Sequence, residues 1–276
     1  MRGLRTFFDF YISSSIHVAL SVLSLSSVTL FRFDLPFDEN VLCFIFFASV
    51  TGYNFVKFFG LAKFHHRSLT TWLKVIQVFS AICFFLMAYY ALQLKIETMM
   101  LILIFALITF LYAVPILPRR FFMDEAQQLR SISGLKVYLI AFVWAGVTVV
   151  LPLANANYLF EGTIIIVIIQ RFLFVLALML PFEIRDLNYD SLKLATIPQR
   201  IGVKRTKFMG FLLLMAMFFL ELVSPISDVN SIITTGLIVG TSAVLIYFSK
   251  IYQNQYYSSF LVEAIPILWL VLVLVF

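Results

Sequence analysis

Long apolar runs dominate the chain. Short polar breaks divide them into nine segments, near residues 11–31, 40–60, 71–93, 98–117, 134–153, 159–182, 207–223, 230–249 and 258–276. Each is close to the ~20 residues a helix needs to cross ~30 Å of hydrocarbon. Lipid offers an open backbone no hydrogen-bond partners, so these segments are expected to be helices, which satisfy their own N–H and C=O groups. The pattern predicts an all-α integral membrane protein with nine transmembrane helices in the lipid bilayer. The first segment has a basic start at Arg2 and Arg5. It is long enough to span, and no small-residue cleavage site marks it as a removable leader.

Composition supports this reading. Hydrophobic residues make up 62% of the chain and charged residues 12%, with a mean hydropathy of +1.02. No water-soluble core could hide so much apolar surface. No Pro/Gly/Ser linker or low-complexity tract interrupts the pattern, so residues 1–276 are expected to form a single polytopic membrane domain. Cys43 and Cys83 fall inside predicted spans, where a thiol is ordinarily packing material, and no disulfide is expected.

Charge sets the expected orientation. Of the 20 Lys and Arg residues, all but Arg32, Lys95 and Arg171 fall on one side of the alternating loops. Basic residues in short loops stay in the cytoplasm. The N-terminus is therefore expected inside and the C-terminus outside, in the plasma or inner membrane. Topology accounts for the net charge of +6, so no nucleic acid is implied as a partner. The longer, more polar inner loops at 61–70, 118–133 and 183–206 are where chemistry is expected.

Residues 180–190 carry the most information, reading Leu-Pro-Phe-Glu-Ile-Arg-Asp-Leu-Asn-Tyr-Asp. The i, i+3, i+7 spacing of Glu183, Asp186 and Asp190 puts three carboxylates on one helix face. Their mutual repulsion calls for a cation, either Arg185 and Lys193 or a metal. Mg²⁺ suits a few carboxylates completed by water and phosphate oxygens. A solvated juxtamembrane face has the same spacing. Arg171 lies deep in the sixth span, where a charge must face the bundle interior or water, either in a structural ion pair, for which Glu221 is a candidate partner, or in a substrate role. His65 and His66, adjacent on a helix, point apart and lack a third ligand. His17, among serines, is expected to hydrogen-bond between helices.

The run from Leu180 to Asp190, followed by Thr196-x-Pro198 and Ile201-Gly202, resembles the second aspartate motif of the UbiA superfamily of intramembrane prenyltransferases. Tyr112-Ala113-Val114-Pro115 followed by Arg119-Arg120 looks like that family's Tyr-Ser-x-Pro and basic segment. The resemblance implies nine helices around a central cavity, with two acidic motifs binding an isoprenyl diphosphate through magnesium. Loss of diphosphate then lets an aromatic or other lipophilic acceptor take the prenyl group.

Carried over by position, the resemblance makes Asp186 and Asp190 catalytic metal ligands supported by Glu183. Asn54 becomes a substrate-positioning residue, and Arg119, Arg120 and Lys193 phosphate contacts. The first motif departs from the family's Asn-x-x-x-Asp-x-x-x-Asp, because Asn54 is followed by Phe58 and Ala62. Lys57 shares a helix face with Asn54 and either substitutes for a metal against the diphosphate or snorkels to the headgroups. The alternative to a transferase is a non-catalytic UbiA-fold protein that binds lipid or a partner protein.

Overall fold

A computed structural model describes residues 2–62, 71–114, 134–158, 162–188 and 195–276. The described chain is helical: α1 (Arg2–Ser13), α2 (Ile16–Arg32), α3 (Glu39–Ala62), α4 (Thr71–Ala91), α5 (Ile96–Ala113), α6 (Lys136–Ala145), α7 (Leu151–Asn155), α8 (Gly162–Asp186), α9 (Ile197–Ile201), α10 (Val203–Val223), α11 (Val229–Phe248) and α12 (Ile265–Val275). Two π-helical stretches complete it, Gly146–Val150 joining α6 to α7 and Tyr257–Val262 preceding α12. Among the described residues, eight stretches are long and apolar enough to cross a membrane, and the bent pair α1–α2 counts as a ninth if it is one broken span.

Their limits follow the sequence pattern closely except at the start. The expected span over 11–31 is broken, because α1 and α2 meet at 57°. Ser15 sits at the break in the left-handed region, at φ 65°, a conformation most side chains avoid. Nothing apolar in 11–31 signals this bend.

The bundle is organised around α2, whose residues from His17 to Leu30 are mostly buried. It packs against α3 and α12, while α8 packs against α6 and α10. Phe174, Leu180 and Ile184 of α8 and Leu25 of α2 are fully enclosed. By contrast α4 and α5 present Val78, Phe85, Leu103 and Leu107 outwards. In water such a surface would drive association, whereas in hydrocarbon it costs nothing.

The serines and threonines of α2 explain why the two π-helical stretches are tolerated at membrane depth. Irregular backbone in hydrocarbon is stable only if protein groups satisfy it. Thr29 Oγ1 donates to the Thr148 carbonyl at 2.8 Å, and Ser21 Oγ donates to the Glu263 carbonyl. His17 spans the gap to the second stretch. Its Nε2 lies 2.9 Å from the Phe260 carbonyl and its Nδ1 2.7 Å from the Tyr11 hydroxyl. A carbonyl can only accept, so Nε2 carries the proton and Nδ1 accepts from Tyr11. This is the interhelical bond expected of His17.

At the end of the bundle away from the basic loops, Glu221 is fully buried and pairs with Arg32 at 2.6 Å. It also accepts from Gln170 Nε2 at 2.9 Å and from Ser227 Oγ at 2.7 Å. Arg171 does not reach it, contrary to the expected pairing. Its guanidinium donates to the Leu25 carbonyl at 2.9 Å and to Thr29 Oγ1 at 3.2 Å, and lies 5.4 Å from the Trp269 ring. Arg32 is the shorter route to Glu221, and the lip of α2 supplies Arg171 with neutral acceptors instead.

Candidate functional site

The break between α1 and α2 exposes polar groups that the third helix reads. Asn54 of α3 is 2% exposed. Its Nδ2 donates to the Ser14 carbonyl at 3.0 Å and to Ser80 Oγ of α4 at 2.6 Å, and its Oδ1 accepts from Ser15 Oγ at 2.8 Å. One amide therefore joins the break, α3 and α4. Lys57, one turn further along α3, donates from Nζ to the same Ser15 hydroxyl at 2.8 Å. That bond draws its ammonium to the break between α1 and α2. It is surrounded by protein yet accessible.

Within electrostatic reach of Lys57 is Glu263, between the second π-helical stretch and α12. The two charges lie close enough to interact, and Glu263 also feels Arg185. Tyr11 and Tyr53 fall within the field of the same carboxylate, and Tyr53 is held by Trp144 Nε1 at 2.7 Å. Glu263 thus brings the Asn54 segment and the Glu183 segment to the same end of the bundle.

The acidic stripe on α8 already has cations. Arg185 grips Asp186 through two bonds, Nε to Oδ1 at 2.7 Å and Nη2 to Oδ2 at 3.2 Å. Its guanidinium also lies 5.3 Å from the Phe182 ring. Glu183 is 3% exposed and faces Lys136 of α6 at 3.4 Å. A cleft of about 580 Å³ opens beside this centre, lined by Thr6, Asp9, Trp72, Arg185, Gln255 and Tyr256. That volume falls within the range of small-molecule sites.

Two solved structures share this arrangement of helices. One is a digeranylgeranylglyceryl phosphate synthase, superposing with a TM-score of 0.58 at 15% identity over 100% of this chain and 98% of that one. The other is a UbiA homolog from Aeropyrum pernix K1, with a TM-score of 0.65 at 16% identity over 94% and 97% of the two chains. The chain has the UbiA fold. No protein-family model and no curated protein matches the sequence.

Within this UbiA-type bundle the residues expected at the site are distributed unevenly. Asn54, Lys57, Glu183 and Asp186 gather at one end, whereas Asp190, Lys193, Arg119 and Arg120 lie outside the described residues, as do His65 and His66. The amide of Asn54 is fully engaged within the protein. The described residues do not fit a magnesium site. Glu183 and Asp186 are each ion-paired, Phe58 and Ala62 stand at the first-motif positions, and no three carboxylate, histidine or cysteine side chains converge among the described residues.

The residue that sequence reasoning missed is Glu263. Its signal was present, since it is a lone carboxylate between Phe260-Leu261-Val262 and Ala264-Ile265 in the last apolar run. An ionisable group at that position is costly unless it faces a partner or a polar cavity. It also follows a π-helical stretch, a feature frequent at functional sites.

Proposed function

We propose that this chain is an integral membrane prenyltransferase of the UbiA type. In this reading it takes an isoprenyl diphosphate, with the prenyl tail among the apolar helices and the diphosphate at the polar end near Lys57 and Arg185, and transfers the prenyl group to a lipophilic acceptor. The observation that carries the reading is the convergence of Lys57, Arg185, Glu263 and Asp186 at one end of a UbiA-type bundle.

The chemistry asks little covalent work of the protein. The allylic C–O bond breaks and the diphosphate leaves with the electron pair. The acceptor's nucleophile then bonds to the allylic carbon and the acceptor loses a proton. Fixed cations in a water-poor site stabilise the departing charge, because they need no reorganisation when it forms. In this reading Lys57 and Arg185 do this, while the apolar helices take the prenyl chain.

The test is to incubate the purified protein, in a lipid bilayer, with geranyl, farnesyl and geranylgeranyl diphosphate and a set of lipophilic aromatic acceptors, and to measure diphosphate release. Acceptor-dependent release is expected. One observation favours a second reading: Glu183 and Asp186 are each already ion-paired, and Glu263 lies within the field of Lys57 and Arg185. That suits a UbiA-fold protein that binds the isoprenoid without turnover. Saturable binding with no release in any combination would select that reading.

A further inference from the structure

We infer that Lys57 is the anchor for the anionic head group at the polar end, that Glu263 is its counter-ion in the free protein, and that the head group is held without a divalent metal. The inference rests on the proposed binding of an isoprenyl diphosphate and specifies what holds it.

Three features of the structure lead here. The ammonium is aimed: Ser15 Oγ accepts from Lys57 at 2.8 Å and is itself fixed by donating to Asn54 Oδ1 at 2.8 Å. Asn54 is in turn held by Ser14 and Ser80, so the position of Lys57 is set by a buried network rather than by its own flexible stem. A cation whose orientation is fixed in advance loses less freedom when it binds.

The second feature is charge balance. Lys136 faces Glu183, Arg185 grips Asp186 and Lys57 lies within electrostatic reach of Glu263, while Asp9 across the cleft accepts from the Tyr256 hydroxyl. Among the described residues no three of these carboxylates converge as a dication would need. Among the three pairs, Lys57 and Glu263 are the two that approach without forming a close ion pair, while Asp186 is held at 2.7 Å and Glu183 at 3.4 Å. The partner most easily displaced from its cation is therefore Glu263.

The third is accessibility. Glu263 is half-buried and Lys57 accessible, so a ligand head group can reach both. A phosphate oxygen accepting from Lys57 competes with Glu263 for the same positive charge. Lysine serves phosphate as a point charge and tolerates the several geometries a diphosphate offers.

The experiment is equilibrium binding of a non-cleavable farnesyl thiolodiphosphate to the full chain in nanodiscs, with Mg²⁺ or with EDTA. It is run on the unmodified protein and on Lys57→Gln, Lys57→Arg, Glu263→Gln and Lys250→Gln, the last being an exposed lysine beyond α11. Affinity of the unmodified protein should be the same in EDTA. Lys57→Gln should weaken binding at least about tenfold, the scale of one charge-assisted hydrogen bond. Lys57→Arg should keep most of the affinity, Glu263→Gln should tighten binding, and Lys250→Gln should leave it unchanged. Binding that disappears in EDTA, or that is equal in Lys57→Gln and Lys250→Gln, overturns the inference while leaving the proposed function standing. So does Glu263→Gln binding more weakly, since that is the behaviour of a metal ligand. No binding by the unmodified protein in either medium overturns the proposed function itself.

Discussion

Lys57 and Ser15, 42 residues apart, are joined by a 2.8 Å hydrogen bond from the ammonium to the hydroxyl. The bond exists because α2 does not continue α1. Ser15 takes a left-handed backbone conformation at φ 65°, and the 57° bend turns its side chain towards α3.

Asn54 is the keystone of this corner, and its replacement tests the network without touching a charge. Asn54→Leu removes three hydrogen bonds and leaves the Ser80 and Ser15 hydroxyls to find other partners. Interhelical hydrogen bonds in membranes are worth ~0.6 kcal/mol on average and ~1.7 at most. The expected loss is about 1–3 kcal/mol, read as a lower midpoint in thermal or denaturant unfolding in detergent. A midpoint unchanged from the parent protein would contradict the network.

At the opposite end, the geometry ranks two substitutions. Glu221 is fully buried against Arg32, so Glu221→Leu strands a buried guanidinium and should cost about 3–5 kcal/mol. Among the described residues no carboxylate pairs with Arg171, which bonds a carbonyl and a hydroxyl. Arg171→Met should therefore cost less than Glu221→Leu in the same unfolding assay, and the reverse order would show that the ion pair has been assigned to the wrong arginine.

Gly146 opens the first π-helical stretch directly beneath Phe105 of α5. A Cβ built there would overlap the Phe105 ring, with Cζ its nearest neighbour. Gly146→Ala is expected to destabilise by about 1–3 kcal/mol, the usual cost of overpacking. Adding Phe105→Leu should restore part of the loss, because the three nearest atoms all belong to that ring. Additive losses in the double variant would mean that the two residues do not touch.

The spans were legible because each apolar run is as long as the bilayer is thick, and one end of nearly every helix falls within a few residues of the polar break that marks it. The bend at Ser15 and the π-helical stretches were not legible. They depend on donors that α2 supplies from far away in sequence, Thr29 to Thr148 and Ser21 to Glu263. The stripe of Glu183 and Asp186 was visible from spacing, and Arg185 was among the cations expected beside it. That Lys136 would face Glu183 was not readable, because it lies on a different helix. Glu263 was overlooked because a single acid in an apolar run carries no spacing pattern. Only its cost in lipid marks it out.

The cap of α11 gives a pH test outside the membrane. Asp228 accepts from the Ser231 backbone N–H at 2.8 Å, and this bond together with the Ser231 hydroxyl holds its carboxyl below the ordinary carboxylate range. A group whose folded value is depressed adds stability above its unfolded value, ~3.9 for Asp, and loses it as pH falls through the folded value. Asp228→Ala should therefore be less stable than the parent protein at neutral pH, with the gap closing below about pH 4. Because the cap is exposed, the difference is expected to be small. A gap that widens in acid would contradict the assignment.

The polar end of the bundle is claimed as the seat of an isoprenyl diphosphate, and the most direct measurement is a structure of the full chain in nanodiscs with farnesyl thiolodiphosphate. The expected result is head-group density within ~3 Å of Lys57 Nζ, hydrogen-bond distance for N–H to oxygen. Glu263 should be drawn back and the farnesyl chain should run between the helices. Density for the head group at the Arg32–Glu221 end, or an ordered ligand that leaves Lys57 bonded to Ser15 and untouched, would contradict it.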